Sequence, residues 1–264
     1  MSGAVEQIHT ITQMEKATST EGVFELPCGY IDPDTNELHT QIEVHEITGH
    51  EEDMLASRQI QSMAKLTLLL SGCLKRVGSI TDPHKIARIV KELTSGDRVF
   101  TLFAIRRVTL GDEFPVREIC PRCGVKGLFM INLAEDMEIR PMADPMKRVY
   151  DVGLPSGKTV RFRVSSGHDE ERTAKIRRSG KDADAISQAL LMRIELLEGE
   201  QPTLEVVKSL GMRDRRYLNQ QYQKVEGGVD TKLELQCAAC DHEWEKDLDV
   251  AASGFFSLGE TQEP

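Results

Sequence analysis

Four cysteines carry the clearest chemical signal in the sequence. They form two Cys-x-x-Cys pairs, Cys120 with Cys123 and Cys237 with Cys240. Cysteine pairs at this spacing are typical zinc ligands, and four thiolates complete the tetrahedral shell of a structural Zn2+. The sequence therefore predicts one structural zinc ion per chain, bound by both pairs together.

The residues around each pair indicate how the cysteines are positioned. Alternating apolar runs flank the first pair at Val116–Ile119 and Leu128–Leu133, and the second at Leu233–Leu235 and Trp244–Val250. Such alternation predicts β-strands. Each pair is therefore expected to form a knuckle, meaning a tight turn between two strands, and the two knuckles to build one shared zinc ribbon.

Three alternatives to this zinc site remain open. A Cys-x-x-Cys motif also serves redox chemistry, and cysteines also pack as reduced thiols in a core. His242 could replace a thiolate as ligand, although it lies beyond the second turn. We favour four thiolates because both pairs close predicted hairpins, and because Pro121 and Gly124 shape the first turn.

The spacing of the cysteines also points to an internal repeat. An offset of 117 residues separates Cys120 from Cys237, and the same offset separates Cys123 from Cys240. The same offset aligns Asp97-Arg98 with Asp214-Arg215, and an offset of 118 aligns Thr48-Gly49-His50-Glu51-Glu52 with Ser166-Gly167-His168-Asp169-Glu170. Before these segments the first half has a longer turn, and with that allowance Leu26-Pro27 matches Leu154-Pro155. Two copies are too few for a solenoid. We therefore predict a pseudo-two-fold molecule whose halves meet at one metal ion.

The repeat divides the chain into five segments. These are an extended or disordered N-terminal arm at 1–22, a first half at 23–133, a linker at 134–146, a second half at 147–250 and a C-terminal tail at 251–264. The tail contains the adjacent aromatic residues Phe255 and Phe256. They are expected either to cover the core or to bind a partner.

Each half is predicted to contain a β-hairpin, short helices and a knuckle, which together make an α+β fold. The hairpins are expected at 23–47 and 149–164, each around a turn rich in Pro and in Asp, Asn or Gly. Helices are predicted at 51–77, 83–93, from the Ser95-Gly96-Asp97 break to 108, and at 169–178, 182–197, 204–210 and 214–225. The linker shows no clear period.

Composition and charge narrow the classes of function. The chain has 264 residues, of which 39% are hydrophobic, enough for a sizeable core. No apolar run reaches the roughly 18–20 residues of a membrane span, and no secretory signal is recognised. We therefore expect a reducing cytoplasm, in which the six cysteines are not disulfide-bonded. A net charge of −10 argues against nucleic-acid binding through phosphates and favours protein partners.

No catalytic motif is recognised in the sequence. His50-Glu51-Glu52 is not a zinc-protease motif, because Met54 occupies the place of the second histidine. Four cysteines close the metal shell, whereas a catalytic zinc keeps one position open. Cys28 and Cys73 have no cysteine counterpart in the repeat, so we interpret them as packing residues. The prediction is a protein that is not an enzyme and has no small-molecule substrate.

Several segments carry a resemblance to a known family. They are Phe24-Glu25-Leu26-Pro27-Cys28-Gly29-Tyr30-Ile31-Asp32, Gly49-His50-Glu51-Glu52, Gly96-Asp97-Arg98, and Leu110-Gly111-Asp112-Glu113-Phe114 before Cys120. Together they resemble the baseplate and tail-assembly proteins of contractile-tail, myovirus-like bacteriophages, over roughly residues 22–258. The zinc pattern of that family carries over to the four cysteines of the two knuckles.

The resemblance implies a structural protein of the virion, assembled in the host cytoplasm and located at the distal end of the tail. It implies several copies, with six as the expected number, in contact with tube, hub, sheath and wedge proteins. Two alternatives remain. The first is a tail assembly chaperone that is not retained in the particle. The second is a cytoplasmic zinc-ribbon regulator that binds nucleic acid through the basic clusters 175–178 and 213–216.

Overall fold

The fold is described from a computed structural model, which covers residues 22–60, 62–178, 182–248, 250, 255 and 256. The predicted N-terminal arm up to residue 21 and most of the predicted tail lie outside these described residues. Within the described part of the chain, no helix is both long and apolar enough to span a bilayer.

The elements of the first half run in the order hairpin, two helices, strand, two helices, hairpin. They are β1 (Val23–Ile31), β2 (Leu38–Val44), α1 (Gly49–Ala56), α2 (Ser62–Cys73), β3 (Leu74–Val77), α3 (Pro83–Glu92), α4 (Ser95–Leu110), β4 (Glu113–Ile119) and β5 (Lys126–Asn132). The mixture of hairpins and helices confirms the predicted α+β class.

The second half shows the same order, with one short strand inserted before its last hairpin. After β6 (Ile139–Arg140) come β7 (Val149–Gly153), β8 (Thr159–Arg163), α5 (Gly167–Arg178), α6 (Asp182–Arg193), β9 (Ile194–Leu197), α7 (Leu204–Lys208), α8 (Met212–Val225), β10 (Gly228–Val229), β11 (Lys232–Gln236) and β12 (Glu243–Asp247). In the sequence of each half, the helices therefore come after the first hairpin and before the knuckle.

Both predicted hairpins gain a third strand from a segment predicted as helix. The sheets have the orders β1-β2-β3 and β7-β8-β9. Ile42 pairs with Val77 in the first sheet, and Phe162 pairs with Ile194 in the second. The predicted helices to residues 77 and 197 are therefore wrong over their last turn. The open edges of β2 and β8 offer backbone partners to these segments, and a local apolar pattern does not reveal such partners.

The predicted linker, which shows no clear period in the sequence, contains the short strand β6. In this strand Ile139 pairs with Val229, and Arg140 pairs with Gly228 of β10. Two residues are too few to show a hydrophobic period, so the strand could not be recognised from sequence. Its pairing ties the linker to the end of the second half.

Helix α4 is buried on several of its faces. The Thr94 hydroxyl accepts a hydrogen bond from the Asp97 N–H at 3.1 Å, and this caps the N-terminus. Gly111 ends the helix with φ of 86°, in the left-handed region that favours glycine. Phe100 and Ile105 are both buried. A helix covered on several faces belongs to the centre of a core rather than to its surface.

The buried apolar residues form two main clusters. The larger contains residues of the first half together with Leu233, Leu235 and Leu248 from the second. The smaller contains residues of the second half alone, between Leu154 and Tyr222. The second knuckle is therefore part of the larger core.

Phe255 is also part of the larger core. Its ring lies 5.0 Å from that of Phe103 and 5.1 Å from that of Phe114, between centroids. Of the two alternatives for the aromatic pair in the tail, the structure favours covering the core for Phe255.

Candidate metal centre

Two antiparallel hairpins present the four cysteines. Strands β4 and β5 pair in register from Glu113 with Asn132 to Ile119 with Lys126, and Cys120 follows directly. Strands β11 and β12 pair in the same manner and end just before Cys237. Both predicted knuckles are therefore present as strand–turn–strand units.

The first turn is shaped by two backbone hydrogen bonds. The N–H of Cys120 donates to the carbonyl oxygen of Val125 at 2.9 Å, and the N–H of Gly124 donates to the carbonyl oxygen of Cys120 at 2.9 Å. Gly124 adopts φ of 74°, which glycine accepts without strain. This geometry brings the side chain of Cys120 close to that of Cys123.

The second turn repeats this geometry without a glycine. The N–H of Cys237 donates to the carbonyl oxygen of His242 at 2.9 Å, and the N–H of Asp241 donates to that of Cys237 at 2.8 Å. Asp241 takes φ of 51°, and aspartate visits the left-handed region more readily than most residues. The two knuckles therefore have the same shape despite different sequences.

The structure brings all four predicted cysteines together. Their Sγ atoms lie within 4.8 Å of one another. The Sγ of Cys120 is 3.7 Å from that of Cys240, and the Sγ of Cys123 is 3.6 Å from that of Cys237. These distances exceed the roughly 2.05 Å of a disulfide bond, and all four residues are free thiols.

The spacing fits a tetrahedral metal. With a Zn–S distance of about 2.3 Å, the sulfur atoms of a regular tetrahedron lie about 3.8 Å apart. The separations of 3.7 Å and 3.6 Å agree with this value. An all-thiol set is the donor set that structural zinc prefers, and hard cations such as Mg2+ prefer oxygen. The residues present therefore fit zinc.

Thiols this close cannot all ionise without a cation between them, because thiolates repel one another. Burial raises the pKa of Cys120, but the N–H groups of Cys123 and Arg122 outweigh it and lower this pKa to about 7. The N–H of His242 lowers the pKa of Cys240, but burial and the neighbouring thiols raise it to about 12. A bound divalent cation would favour the thiolate form of all four.

Side chains beyond the cysteines hold the two knuckles against each other. The rings of Phe129 and Trp244 meet edge to face at 5.7 Å. The ammonium group of Lys246 lies 2.9 Å from a carboxylate oxygen of Glu118. The sequence places these four residues in the predicted strands but does not predict their contacts, because contacts between distant strands leave no local signal.

The other candidate residues lie outside the cluster. His242 stacks near Trp244, with ring centroids 6.1 Å apart, and is not among the gathered ligands. Cys28 and Cys73 are buried, and burial raises the pKa of each thiol to about 12. Among the described residues, the four knuckle cysteines form the one group of three or more metal-binding side chains.

A comparison with protein families gives a match that spans most of the chain. The family profile described as T4 bacteriophage base plate protein matches residues 33–255. This range contains all four cysteines. No curated protein and no solved structure matches the chain significantly.

Proposed function

The chain belongs to the family of T4 bacteriophage base plate proteins, and from this premise we propose that it is a non-enzymatic structural protein of a contractile tail. Family membership assigns it to the tail of the virion, in association with other baseplate proteins. The finer proposal is that it links the tube or hub with sheath or wedge proteins, with six copies expected. The family match over residues 33–255 carries this proposal.

We propose that Cys120, Cys123, Cys237 and Cys240 bind one structural Zn2+. Support comes from the near-tetrahedral spacing of the Sγ atoms and from the all-thiol donor set. When bound, zinc supplies a rigid link between two hairpins. Because 114 positions separate Cys123 from Cys237, this link restricts the unfolded chain and stabilises both halves.

We infer that the two halves are copies of one unit. In each half a buried aspartate holds the first hairpin: Asp97 Oδ1 accepts from the N–H of Cys28 at 2.8 Å, and Asp214 Oδ1 accepts from the N–H of Ser156 at 3.1 Å. Cys28 and Ser156 occupy the same place in Leu-Pro-x-Gly segments. Equivalent contacts at aligned positions support the repeat and the division into halves.

The start of the first helix in each half supports the same inference. Thr48 donates its N–H to a carboxylate oxygen of Glu51 at 3.0 Å. Ser166 donates its N–H to a carboxylate oxygen of Asp169 at 2.9 Å. Both are acid-assisted N-caps, in which the third residue of the helix reaches back to the cap.

The tail role is tested by an inventory of purified tail particles. Quantitative mass spectrometry, with the tube protein as internal standard, should find this chain at a small fixed number, six or a simple relative of it. Absence from finished particles, together with presence in infected-cell lysate, would contradict a permanent structural role and identify an assembly chaperone.

DNA binding by the purified chain tests the regulator alternative, which the family assignment does not favour. A net charge of −10 opposes phosphate-driven binding. DNA affinity that is weak and does not change with salt removes this alternative. Tight binding that weakens steeply with salt would overturn the structural proposal instead.

A further inference from the structure

The two halves of the chain meet at a polar contact centred on Arg98. Helix α5 of the second half packs against α2, α3 and α4 of the first. The Arg98 side chain is fully buried and lies 2.8 Å from a carboxylate oxygen of Glu170. It also donates to the Thr67 hydroxyl at 3.1 Å, and Thr67 donates to Glu171 at 3.0 Å. Two acids of α5 therefore fill a site built by the first half.

Backbone groups complete this contact. The N–H of Ser95 donates to the carbonyl oxygen of Ser165 at 3.1 Å, and the N–H of Gly167 donates to that of Leu93 at 3.2 Å. A Cβ atom at Gly167 would lie 2.6 Å from Nη1 of Arg98. Only glycine lets the start of α5 approach the guanidinium this closely.

The second half contains a surface equivalent to the one that α5 contacts in the first half. Arg215 aligns with Arg98 in the repeat. It donates to the Ser187 hydroxyl at 3.0 Å, as Arg98 donates to the Thr67 hydroxyl. Arg215 is nevertheless half-buried, and it has no carboxylate partner among the described residues. Among the described residues, no helix takes in the second half the place that α5 fills in the first.

The uncovered surface is also apolar. Ile186 on α6, Val206 on α7 and Met212 on α8 are exposed by 74%, 41% and 74%. The residue that aligns with Val206 is Ile89 on α3, which is 1% exposed. The second half therefore exposes apolar side chains on the three helices that correspond to the covered α2, α3 and α4.

Helix α1 of the first half matches the helix of the second half that enters the Arg98 site. Helix α1 corresponds to α5, and Glu52 and Asp53 correspond to the two acids that enter the Arg98 site. Both side chains are exposed, and neither forms an ion pair within the described part of the chain. Gly49 aligns with Gly167, but a Cβ atom there would meet nothing within 4 Å. The start of α1 therefore resembles the start of α5, but among the described residues it does not enter a site like that of Arg98.

Charge favours the same match. Helix α1 begins with Glu51 and Glu52 in its first turn. Helix α8 carries Arg213, Arg215 and Arg216 near its start. Opposite charges on two open surfaces favour their association over contact between identical surfaces.

We propose that copies of this chain join head to tail, with α1 of one copy seated on α6, α7 and α8 of the next. This contact repeats the one between the halves: Arg215 pairs with Glu52, Ser187 meets Asp53, and Gly49 lies against Arg215. A contact between two different surfaces closes into a ring or continues as a filament. A ring of three chains presents six halves around its axis. The proposal rests on the internal repeat, and not on the metal or on a place in the tail.

The first test is the mass of the purified full-length chain in solution. The tethered halves meet at an effective concentration of roughly 1 mM, so sedimentation equilibrium should extend to that range. The expected mass rises with concentration, to a whole multiple of one chain for a ring and without limit for a filament. Arg215→Glu and Glu52→Arg should each return the mass to one chain, and the double substitution should restore association.

Either of two outcomes overturns the proposal. The first is a single-chain mass over the whole concentration range. The second is association that neither single substitution weakens, because another surface must then form the contact.

A second pair of variants separates assembly from folding. A Cβ atom added at Gly49 or at Gly153 would meet nothing within 4 Å, and neither glycine has positive φ. Gly49→Tyr should unfold at the same temperature as the wild type but stay a single chain. Gly153→Tyr, the control, should associate normally. Normal association of Gly49→Tyr overturns the proposed contact. It would leave the proposed tail role intact, because the inventory of tail particles tests that role separately.

Discussion

Arg98 and Arg215 are aligned residues with different surroundings. The Arg98 side chain is fully buried and lies 2.8 Å from Glu170 of the other half. Arg215 is half-buried and contacts Ser187 of its own half. The local sequence around both is Asp-Arg at the start of a helix. The environment of each arginine is therefore set by what packs against its half, and not by the residues next to it.

The four clustered cysteines differ in this respect from the aligned arginines and aspartates. The cysteines contribute equally to one cluster from both halves, so substitution in either half should have the same effect. The arginines and aspartates contribute unequally, so aligned substitutions should have different effects.

Loss of a knuckle thiol should affect both halves together. Cys120→Ser and Cys237→Ser should each lower the zinc content and expose amides in both halves to hydrogen exchange. Structural zinc sites contribute about 10–16 kcal/mol of apparent binding free energy in peptides, so we expect the largest destabilisation here. His242→Ala is the control and should keep its zinc. Loosening of the first half alone by Cys120→Ser would refute a shared site.

Arg98→Ala should be far more damaging than Arg215→Ala. Removing Arg98 leaves the partly buried Glu170 without its cation, a change that costs about 3–5 kcal/mol for buried pairs. Removing Arg215 from the single chain should change the free energy of unfolding by about 1 kcal/mol or less. Denaturant unfolding at low protein concentration measures both. Equal effects would show that the two arginines are not in different environments.

Asp97 should make the stability of the chain depend on pH. Burial raises the pKa of Asp97 to about 6, despite the N–H of Cys28 that lowers it. A carboxyl group whose pKa is higher when folded stabilises the fold at low pH, and this contribution is lost as the pH rises from about 4 to about 6. The loss is on the order of 3 kcal/mol. Asp97→Asn should remove it from the unfolding curve.

The matched control for this experiment is Asp214→Asn. Because Asp97 is intact in that variant, the fall in stability between about pH 4 and pH 6 should persist. A wild-type profile that matches Asp97→Asn over this window would show that Asp97 is not protonated preferentially in the folded chain.

The clustering of the four cysteines and the hairpins could be predicted because their signals are local. Cys-x-x-Cys spacing, alternating strands and turn residues lie within a few positions of one another. The strands β3, β9 and β6 could not be predicted. Leu74 and Val77 lie three positions apart, which suits a helix, and their pairing with β2 depends on a partner about 30 positions away. Such long-range backbone pairing overrides local preference.

The contact between the two halves could not be predicted from the sequence. The aligned segments at 48–52 and 166–170 each begin a helix, with Thr48 and Ser166 as the caps. Nothing in those segments indicates that Glu170 reaches a buried arginine 72 positions away. The proposed repeat aligns Arg98 with Arg215, and only the fold shows that Arg98 has an acidic partner whereas Arg215 has none among the described residues.

The presence of Leu233, Leu235 and Leu248 in the larger core has a consequence for synthesis on the ribosome. The first half leaves the ribosome well before these leucines are translated, so part of its apolar surface is uncovered while the second half is made. A product that stops before residue 233 would keep that surface exposed to chaperones and proteases. Chains that reach residue 248 can cover it. The fold thus allows the host cell to distinguish incomplete subunits from complete ones before either meets a growing tail.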